Sequence, residues 1–497
     1  MLPLPFRQLH PRTVLASRGH QDVPISSVTF DSRQVSPGSL FVALPGATVD
    51  GATFIDDAIR RGAAAIVTEI PIDGLPVPAI QVPDARRALS EIACTFYGHP
   101  SSRMTVIGIT GTKGKTTTTY LIQSILRRAH GQAFRLGTVE YDLGFTRLPA
   151  RNTTPESLEL VSLLAQALKK GVTAGVMEVS SHALKTWRVE DLTFAAAGFT
   201  NLSLEHSEFH PTMEDYYQAK RRLFLELLPR GRPAVIGIDD EWGRRLAEDC
   251  RQAGIRFRTL SLTNPQADFV AADLAPNAVS QRFTLVAQGQ RIPIDLPLVG
   301  SFNVANAMMA AALCQGLGIP WAAITEGLAT VGTVPGRFET IPNARGLTVI
   351  VDYAHSPAAL QNVLAAARPL TKGRLITVFG CGGNRSREKR PVMGRLSATL
   401  SDITVVTSDN PRKEKPEDII AEIMAGITPL APTERGEVQV EPDRRKAIAL
   451  AIGLARPGDL VLIAGKGHET GQTFADRTIP FDDREVAREY LEGPTHA

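Results

Sequence analysis

Residues 104–128 read MTVIGITGTKGKTTTTYLIQSILRR, and their types and spacing can do phosphate chemistry. An apolar run breaks into Gly111-Thr112-Lys113-Gly114-Lys115-Thr116-Thr117, and an amphipathic segment follows at once. This strand, glycine loop, helix order binds nucleotide phosphates. Glycines let backbone N–H groups approach the phosphates, and a helix N-terminus adds a favourable dipole. Lys115 supplies a point charge for the outer phosphates, and Thr116 a hydroxyl for Mg²⁺. The strict pattern wants glycine five residues before Gly114. Ile109 stands there, with Gly108 and Gly111 nearby, so the loop is a variant. ATP binding is the expectation; the bland alternative is a glycine-rich turn with chance basic residues.

Further along, Glu178 lies in VMEVSSH, and His206 lies just past FTNLS in LEHSEFH. A carboxylate near a nucleotide phosphate is a natural Mg²⁺ ligand, because Mg²⁺ favours hard oxygen donors. Alone, Glu178 reads equally as a core-edge carboxylate, and His206 and His210 as satisfied histidines. Their place after a phosphate loop favours the functional reading. Lys220 lies in MEDYYQAKRRLFLELLP, where the helical period turns Tyr217, Leu223, Phe224 and Leu227 one way. On that pattern alone Lys220 is a solvated helix lysine. Arg385, Arg387, Lys389 and Arg390 crowd into GNRSREKR, either a solvated charge run or a loop able to hold a carboxylate or phosphate, since arginine forks bind oxyanions bidentately. Asp409-Asn410-Pro411-Arg412 offers an acceptor, an amide and a guanidinium, a set suited to a zwitterion. A plain β-turn with capping chemistry explains it equally well.

Three blocks must position these groups. The first runs to about Ser102 and carries short strands (VTFDSRQ, SLFVAL, AAAIVTEI, AIQV) with one helix-like stretch, FIDDAIRRGA. The second opens with the phosphate loop and alternates strands and helices, which reads as a mostly parallel sheet. A β-rich patch, FTLVAQGQRIPIDLPLVG, and a helix over 301–317 close it. The third has four apolar runs, LTVIVDY, RLITVFG, DITVVTS and DLVLIAG, each followed by a polar cluster. In open parallel sheets ligands bind beyond the carboxyl ends of strands, so four such clusters imply a substrate site. The fold class is α/β in three domains, divided as 1–102, 103–336 and 337–497.

Composition narrows the function classes. Hydrophobic residues make up 43% of the 497 and charged residues 21%, ordinary for a globular protein with real cores. Lys plus Arg (54) nearly balances Asp plus Glu (51), so no global field points to nucleic acid or membrane. Cys94, Cys250, Cys314 and Cys381 are scattered without a Cys-x-x-Cys pair, which argues against a zinc site or a disulfide framework. The N-terminal MLPLPFRQLHPR lacks a signal-peptide core, and no apolar run reaches the ~20 residues of a membrane span. A cytoplasmic protein is expected.

Taken together, GTKGKTT (111–117), NTTP (152–155), MEVSSHAL (177–184), TNLSLEH (200–206), YYQAKRRLF (216–224), GSFNVANA (300–307), GRFE (336–339), VDYAHSP (351–357), GCGGNR (380–385), DNPR (409–412) and AGKGHE (464–469) resemble the Mur ligase family along essentially the whole chain. The resemblance implies an N-terminal UDP-binding α/β domain, a central P-loop ATPase domain on a parallel or mixed sheet, and a C-terminal Rossmann-like domain, with the active site in the cleft between them. It implies a monomer that uses ATP and Mg²⁺ to join meso-2,6-diaminopimelate to UDP-MurNAc-L-Ala-D-Glu through an acyl phosphate, with no nucleic-acid or membrane partner. It gives Gly111, Thr112, Lys113, Gly114, Lys115, Thr116, Thr117, Asn303, Arg337, Asp352 and His355 to ATP. It gives Thr116, Glu178, His206 and Lys220 to the metal, with Lys220 carbamylated. Lys115, Lys220, Glu178 and His206 form the implied catalytic set. Ser32, Thr153, Thr154, Ser180 and Arg188 match contacts to the UDP substrate. Arg385, Asp409, Asn410, Pro411, Arg412, Gly465 and Glu469 match contacts to the amino acid.

DNPR is associated in this family with diaminopimelate, and forms without the arginine with L-lysine. The physics agrees: diaminopimelate differs from lysine by a distal carboxylate, which Arg412 and Arg385 can bind through charge-assisted hydrogen bonds. Some positions depart from the family pattern: Lys113 for Asn, Glu205 for Asp, Ser207 for Leu, Thr186 for Gln and Asn384 for Asp. The alternatives are an L-lysine ligase of the same family, a folylpolyglutamate synthase-like ligase, a plain P-loop ATPase or kinase, and a non-catalytic nucleotide binder.

Overall fold

The computed structural model describes residues 2–46, 49–205, 209–276 and 280–492. The chain divides into two compact units. One holds the chain to Leu202 with Phe209–Phe269 and Met309–Gly327; the other holds Val270–Met308, residues 203–205 and the chain from Leu328.

In the first unit, the N-terminal strands form a five-stranded sheet in the order Ala16–Arg18, Ala79–Gln81, Ala63–Thr68, Ser39–Val42, Ser27–Thr29. Only its first pairing is antiparallel. The helix Ala85–Phe96, capped by Asp84, packs Leu89, Ile92 and Phe96 against this sheet's core; sequence reasoning missed it, although Ala85, Ala88, Leu89, Ile92, Ala93 and Phe96 follow the helical period. Ser90 and Glu91 of this helix are buried as well.

The same unit carries six consecutive parallel strands in the order Phe134–Leu136, Ala174–Glu178, Thr105–Thr110, Ala196–Phe199, Ala234–Gly237, Phe257–Ser261. Central strands of such a sheet are covered on both faces, so they read as unbroken apolar runs. Val106, Ile107 and Ile109 are accordingly fully buried. Register places Glu178 opposite Ile109 and Phe199 opposite Thr110. The carboxyl ends of three neighbouring strands thus meet at the phosphate loop.

The second unit contains the hairpin Gln281–Ala287 with Gln290–Leu296. Its two turn residues, Gln288 and Gly289, both have positive φ, as the tight turn that matches strand twist requires. The C-terminal sheet runs Glu339–Ile341, Thr348–Asp352, Leu460–Ala464, Leu375–Phe379, Ile403–Val406, Glu437–Val440. Its four central strands are the four apolar runs of the sequence, mutually parallel. The outer strands are short and polar, suited to edges, and carry too few apolar residues to stand out in sequence. The last of these strands in the chain, Leu460–Ala464, inserts between the first two parallel ones, creating the crevice at which such sheets bind ligands.

All four cysteines are buried and unbridged. Cys94, His99 and Asp191 do converge within 4.8 Å. There Arg12 pairs with Asp191, and the Cys94 thiol donates to the Asp191 carbonyl. No helix among the described residues is long and apolar enough to cross a membrane.

Candidate active site

The phosphate loop lies between the strand Thr105–Thr110 and the helix Lys115–His130. Gly111 has φ +141°, and a Cβ there would stand 1.9 Å from the Thr200 hydroxyl, so only glycine fits. Gly114, at φ +85°, caps the helix. Ile109 is a buried strand residue, so the strict motif's first glycine falls here inside the sheet. The loop is held from the next strand end. Asn201 accepts from the Thr112 amide through its carbonyl (2.8 Å) and from the Lys113 amide through its side chain (2.9 Å). The Thr200 hydroxyl donates to the Lys113 carbonyl at 2.6 Å. The first amides of the helix, from Lys115 to Thr117, lie outside its i→i−4 ladder and form the anion-facing end.

Lys115 folds back onto the loop, donating to the carbonyls of Gly111 and Thr112 at 2.9 Å each. Lys220 donates to the same Gly111 carbonyl at 2.8 Å. It is 1% exposed, which corrects the solvated-lysine reading of the bare helix pattern. Lys220 lies on the helix Met213–Arg222, with the Tyr216 ring 4.6 Å from its ammonium. The chain then widens into a π turn, Leu228 N–H to the Leu223 carbonyl (2.9 Å), a distortion that often marks functional sites.

Glu178 gathers three donors: the Thr116 hydroxyl at 3.0 Å, the Thr138 amide at 2.9 Å and the Thr138 hydroxyl at 3.1 Å. Gly137 makes room, since a Cβ there would lie 2.4 Å from the carboxylate. Thr153 meets Thr138 at 3.1 Å, and the Thr154 hydroxyl donates to the Glu178 carbonyl at 2.8 Å. Ser180 donates its amide to Thr154 (3.0 Å) and caps the helix Ser181–Lys185. The Arg188 guanidinium donates to the Thr154 carbonyl (2.9 Å) and pairs with Glu156 (2.6 Å). Thr153, Thr154, Ser180, Arg188, Glu178, Thr116, Lys115 and Lys220 therefore form one polar cluster around the loop. Ser32 lies apart from it, buried in the 3₁₀ turn Ser32–Gln34 of the N-terminal sheet. His206 lies outside the described residues. His210 is spent on structure, between Asp215 (2.7 Å) and Ser181 (2.9 Å).

In the second unit, Asp352 ends the first parallel strand and accepts from the Phe338 amide at 2.7 Å. Arg337 lies over the Tyr353 ring at 4.5 Å. His355 donates from Nδ1 to the Tyr353 carbonyl at 2.8 Å, placing Nε2 3.7 Å from Glu205. Lys389 donates to the His355 carbonyl, and burial holds its ammonium below the usual lysine range. Gly336 and Gly467 pack backbone to backbone; a Cβ on Gly336 would reach 2.0 Å from the His468 nitrogen. Asn303 is buried in the helix Ser301–Gly316 and donates to the Val299 carbonyl at 2.8 Å.

The DNPR turn is built into the same sheet's carboxyl edge. Asn410 donates to Glu469 at 2.8 Å and accepts from Lys466 at 3.0 Å. Lys466 also pairs with Glu469 at 3.0 Å. Gly465 is required beside Asp409, whose Oδ2 a Cβ would approach to 2.6 Å. That buried oxygen has no hydrogen-bond partner among the described residues. Arg412, at φ +53°, donates to the Gly383 carbonyl at 2.7 Å. Arg385 is exposed, two residues beyond Gly383. Arg390 is buried and consumed by Glu414 and Glu422, and Arg387 by Glu422, so only part of the basic loop is available to a ligand.

Comparisons with known proteins agree along the chain. The Mur ligase family catalytic-domain model matches residues 24–97, the Mur ligase middle-domain model 109–314, and the Mur ligase glutamate ligase domain model 336–467. A UDP-N-acetylmuramoyl-L-alanyl-D-glutamate--2,6-diaminopimelate ligase of Gloeobacter violaceus is 46% identical over 500 residues, covering 98% of this chain and 99% of that protein. The chain belongs to the Mur ligase family. A ligase of the same name from Solibacter usitatus is 46% identical over 474 residues, covering 94% of each. A solved structure of such a ligase superposes with a TM-score of 0.71 at 31% identity, covering 100% of both chains.

Three of this Mur ligase's departures from its family's pattern have local accounts; Ser207 lies outside the described residues. Lys113 contributes its backbone to the loop. Asn384 takes φ +52°, a conformation asparagine tolerates well. Thr186 donates its hydroxyl to the His182 carbonyl, closing the helix Ser181–Lys185. Sequence reasoning missed Thr138, the double donor to Glu178, and Lys466, the buried cation that aligns Asn410 with Glu469. Lys466 stands inside a quoted motif, between two assigned neighbours. Thr138 carries no such signal: it lies between two short strands, where threonine is an ordinary residue with no chemistry implied.

Proposed function

We propose that the protein joins meso-2,6-diaminopimelate to UDP-MurNAc-L-Ala-D-Glu at the expense of ATP, a step of peptidoglycan precursor synthesis. The near-full-length identity to ligases of that name carries this reading. The γ-phosphoryl group passes to the free carboxylate of the dipeptide, giving an acyl phosphate and ADP. The incoming amine attacks the carbonyl carbon, and the tetrahedral intermediate expels phosphate and loses a proton. Activation is needed because a carboxylate is a poor electrophile while phosphate leaves readily. Charge develops on oxygen in both steps, so fixed cations and N–H groups supply the rate.

In this assignment Lys115 and the N-terminus of its helix hold the ATP phosphates. Asn303, Arg337, Asp352 and His355 serve the nucleotide. Ser32, Thr153, Thr154, Ser180 and Arg188 serve the UDP substrate. Glu178, Thr116 and a carbamylated Lys220 would hold Mg²⁺, with His206 as a further ligand; the carboxylate and hydroxyl oxygens of Thr116, Glu178 and Thr138 are the hard donors it prefers. When bound, Mg²⁺ neutralises charge on the phosphate oxygens. Arg412 and Arg385 serve the distal carboxylate of the amino acid, and Glu469 the distal ammonium, with Asp409, Asn410, Pro411 and Gly465 shaping the turn. Domain boundaries at 102 and 336 fall between the strands of the three largest sheets, and a cytoplasmic monomer fits the soluble substrates.

The test is phosphate release with ATP, Mg²⁺ and UDP-MurNAc-L-Ala-D-Glu, comparing meso-diaminopimelate, L-lysine and no amino acid. Release only with diaminopimelate, with the tripeptide found by mass, is the expected result. Release with lysine would overturn the reading of Arg412. Release with neither, in protein that still binds ATP, would overturn the ligase assignment.

A further inference from the structure

Trp187 has φ +60°, a left-handed conformation that is a genuine outlier for so bulky a residue. Such strain persists only where the surroundings over-determine it, and those surroundings are specific. The half-buried indole meets two guanidiniums: Arg222 at 4.1 Å from its centroid and Arg87 at 5.0 Å. A single carboxylate, Glu190, binds both cations, Arg222 at 2.8 Å and Arg87 at 2.9 Å. Arg222 also donates to the Leu184 carbonyl of the short helix that Ser180 caps.

These groups belong to three different parts of the first unit. Arg87 lies on the helix Ala85–Phe96, which packs on the N-terminal sheet. Arg222 ends the helix Met213–Arg222, two residues after Lys220. Next to Trp187 stands Arg188, whose amide bonds the Ala183 carbonyl and whose guanidinium reaches Thr154. An ordinary φ at Trp187 would redirect both the indole and the chain entering Arg188.

We propose that Trp187 is a positioning residue that sets the Lys220 helix against the substrate-side Arg188 and the N-terminal sheet. This inference rests on the roles given above to Lys220 and Arg188. Small displacements of reacting groups cost up to about 10²-fold in rate, so a clamp on this helix acts on turnover and not only on stability.

Glycine separates the ring from the strain, because it accepts φ +60° without penalty. The experiment compares Trp187→Gly, Trp187→Phe and Lys220→Ala in the full chain. It reads Tm, kcat, KM for UDP-MurNAc-L-Ala-D-Glu, and the bicarbonate concentration giving half-maximal activity. W187G, in which both cation–π contacts go but the backbone strain is relieved, is expected to lose kcat by on the order of 10-fold and need correspondingly more bicarbonate, beyond anything its Tm accounts for. W187F, which keeps an aromatic face, is expected to recover most of both. Unchanged kcat and bicarbonate dependence in W187G would overturn the inference, as would a loss in W187G that only follows a fall in Tm. Full activity of K220A would instead overturn the underlying role of Lys220, and that result does not depend on Trp187.

Discussion

Lys115 and Lys220 donate to one carbonyl oxygen, that of Gly111, at 2.9 and 2.8 Å. Two ammonium groups on one acceptor repel each other, and burying Lys220 adds the cost of desolvating a charge. Converting the Lys220 amine to a carbamate removes the repulsion. The like-charge pair becomes an opposite-charge pair, and an oxygen donor replaces a cation at the loop that carries Thr116.

The Lys220→Ala variant should therefore lose about 10²-fold or more in turnover, the scale of disrupting a metal's ligand shell. Formate or acetate should restore part of it by occupying the vacated volume. Steady-state phosphate release, with and without the additive, checks this. Wild-type turnover in K220A without additive would sink the assigned role.

Glu178→Gln tests the neighbouring group. The amide oxygen can still accept from Thr116 and the Thr138 amide, so the local geometry should survive while the negative charge is lost. The Mg²⁺ concentration for half-maximal activity should rise by roughly 10- to 100-fold with little change in Tm. Gly137→Ala should act on the same carboxylate by steric means, since its Cβ would stand 2.4 Å from Oε1. A Mg²⁺ titration of both variants decides whether charge or placement matters more.

The strand and loop framework was readable because it rests on runs of one residue class. The four C-terminal strands are unbroken apolar runs, and the phosphate loop has glycines at strained positions. Lys220 is more instructive. The helical pattern was read as leaving Lys220 in solvent, yet Tyr217, Lys220 and Leu223 are three residues apart and share the buried face. The rarity of buried lysine outweighed the spacing. The converse happened at Arg390, where a run of charges suggested a ligand loop. Two acids, Glu414 and Glu422, lie 24 and 32 residues further on and neutralise it. Pairings at that separation leave no trace in local sequence. The same holds for the cluster of Arg87, Trp187 and Arg222.

Arg412 should decide amino-acid choice. It is held on the DNPR turn at φ +53° with one nitrogen on the Gly383 carbonyl. Arg412→Lys keeps the charge but loses the planar fork. A charge-assisted bond is worth about 1.5–3 kcal/mol, so KM for diaminopimelate should rise roughly 10- to 100-fold. The value for L-lysine, which lacks the distal carboxylate, should hardly move. The ratio of kcat/KM for the two amino acids measures this. An equal loss with both would show that the substitution disturbs the turn rather than a carboxylate contact.

Acid sensitivity should be set in part by His468. Burial, then the nearby Arg337 and Arg484, holds its imidazole down to about 3. Its Nδ1 is buried without a hydrogen-bond partner among the described residues, and the Tyr353 ring lies 5.0 Å away. In the unfolded chain the same ring titrates near 6.5. Between those values the unfolded state binds a proton that the folded state refuses, so stability rises with pH across the window. The contribution is complete above pH 6.5 and is lost as the pH falls towards 3. At about 1.4 kcal/mol per unit, the loss reaches roughly 3 kcal/mol by pH 4.5. His210, also held low by burial, adds in the same direction. Urea midpoints of wild type and His468→Gln at pH 7.5, 6, 5 and 4.5 should show wild type losing more stability than the variant as the pH falls, because the variant has no proton to refuse. Parallel curves for the two proteins would show that His468 titrates normally in the fold.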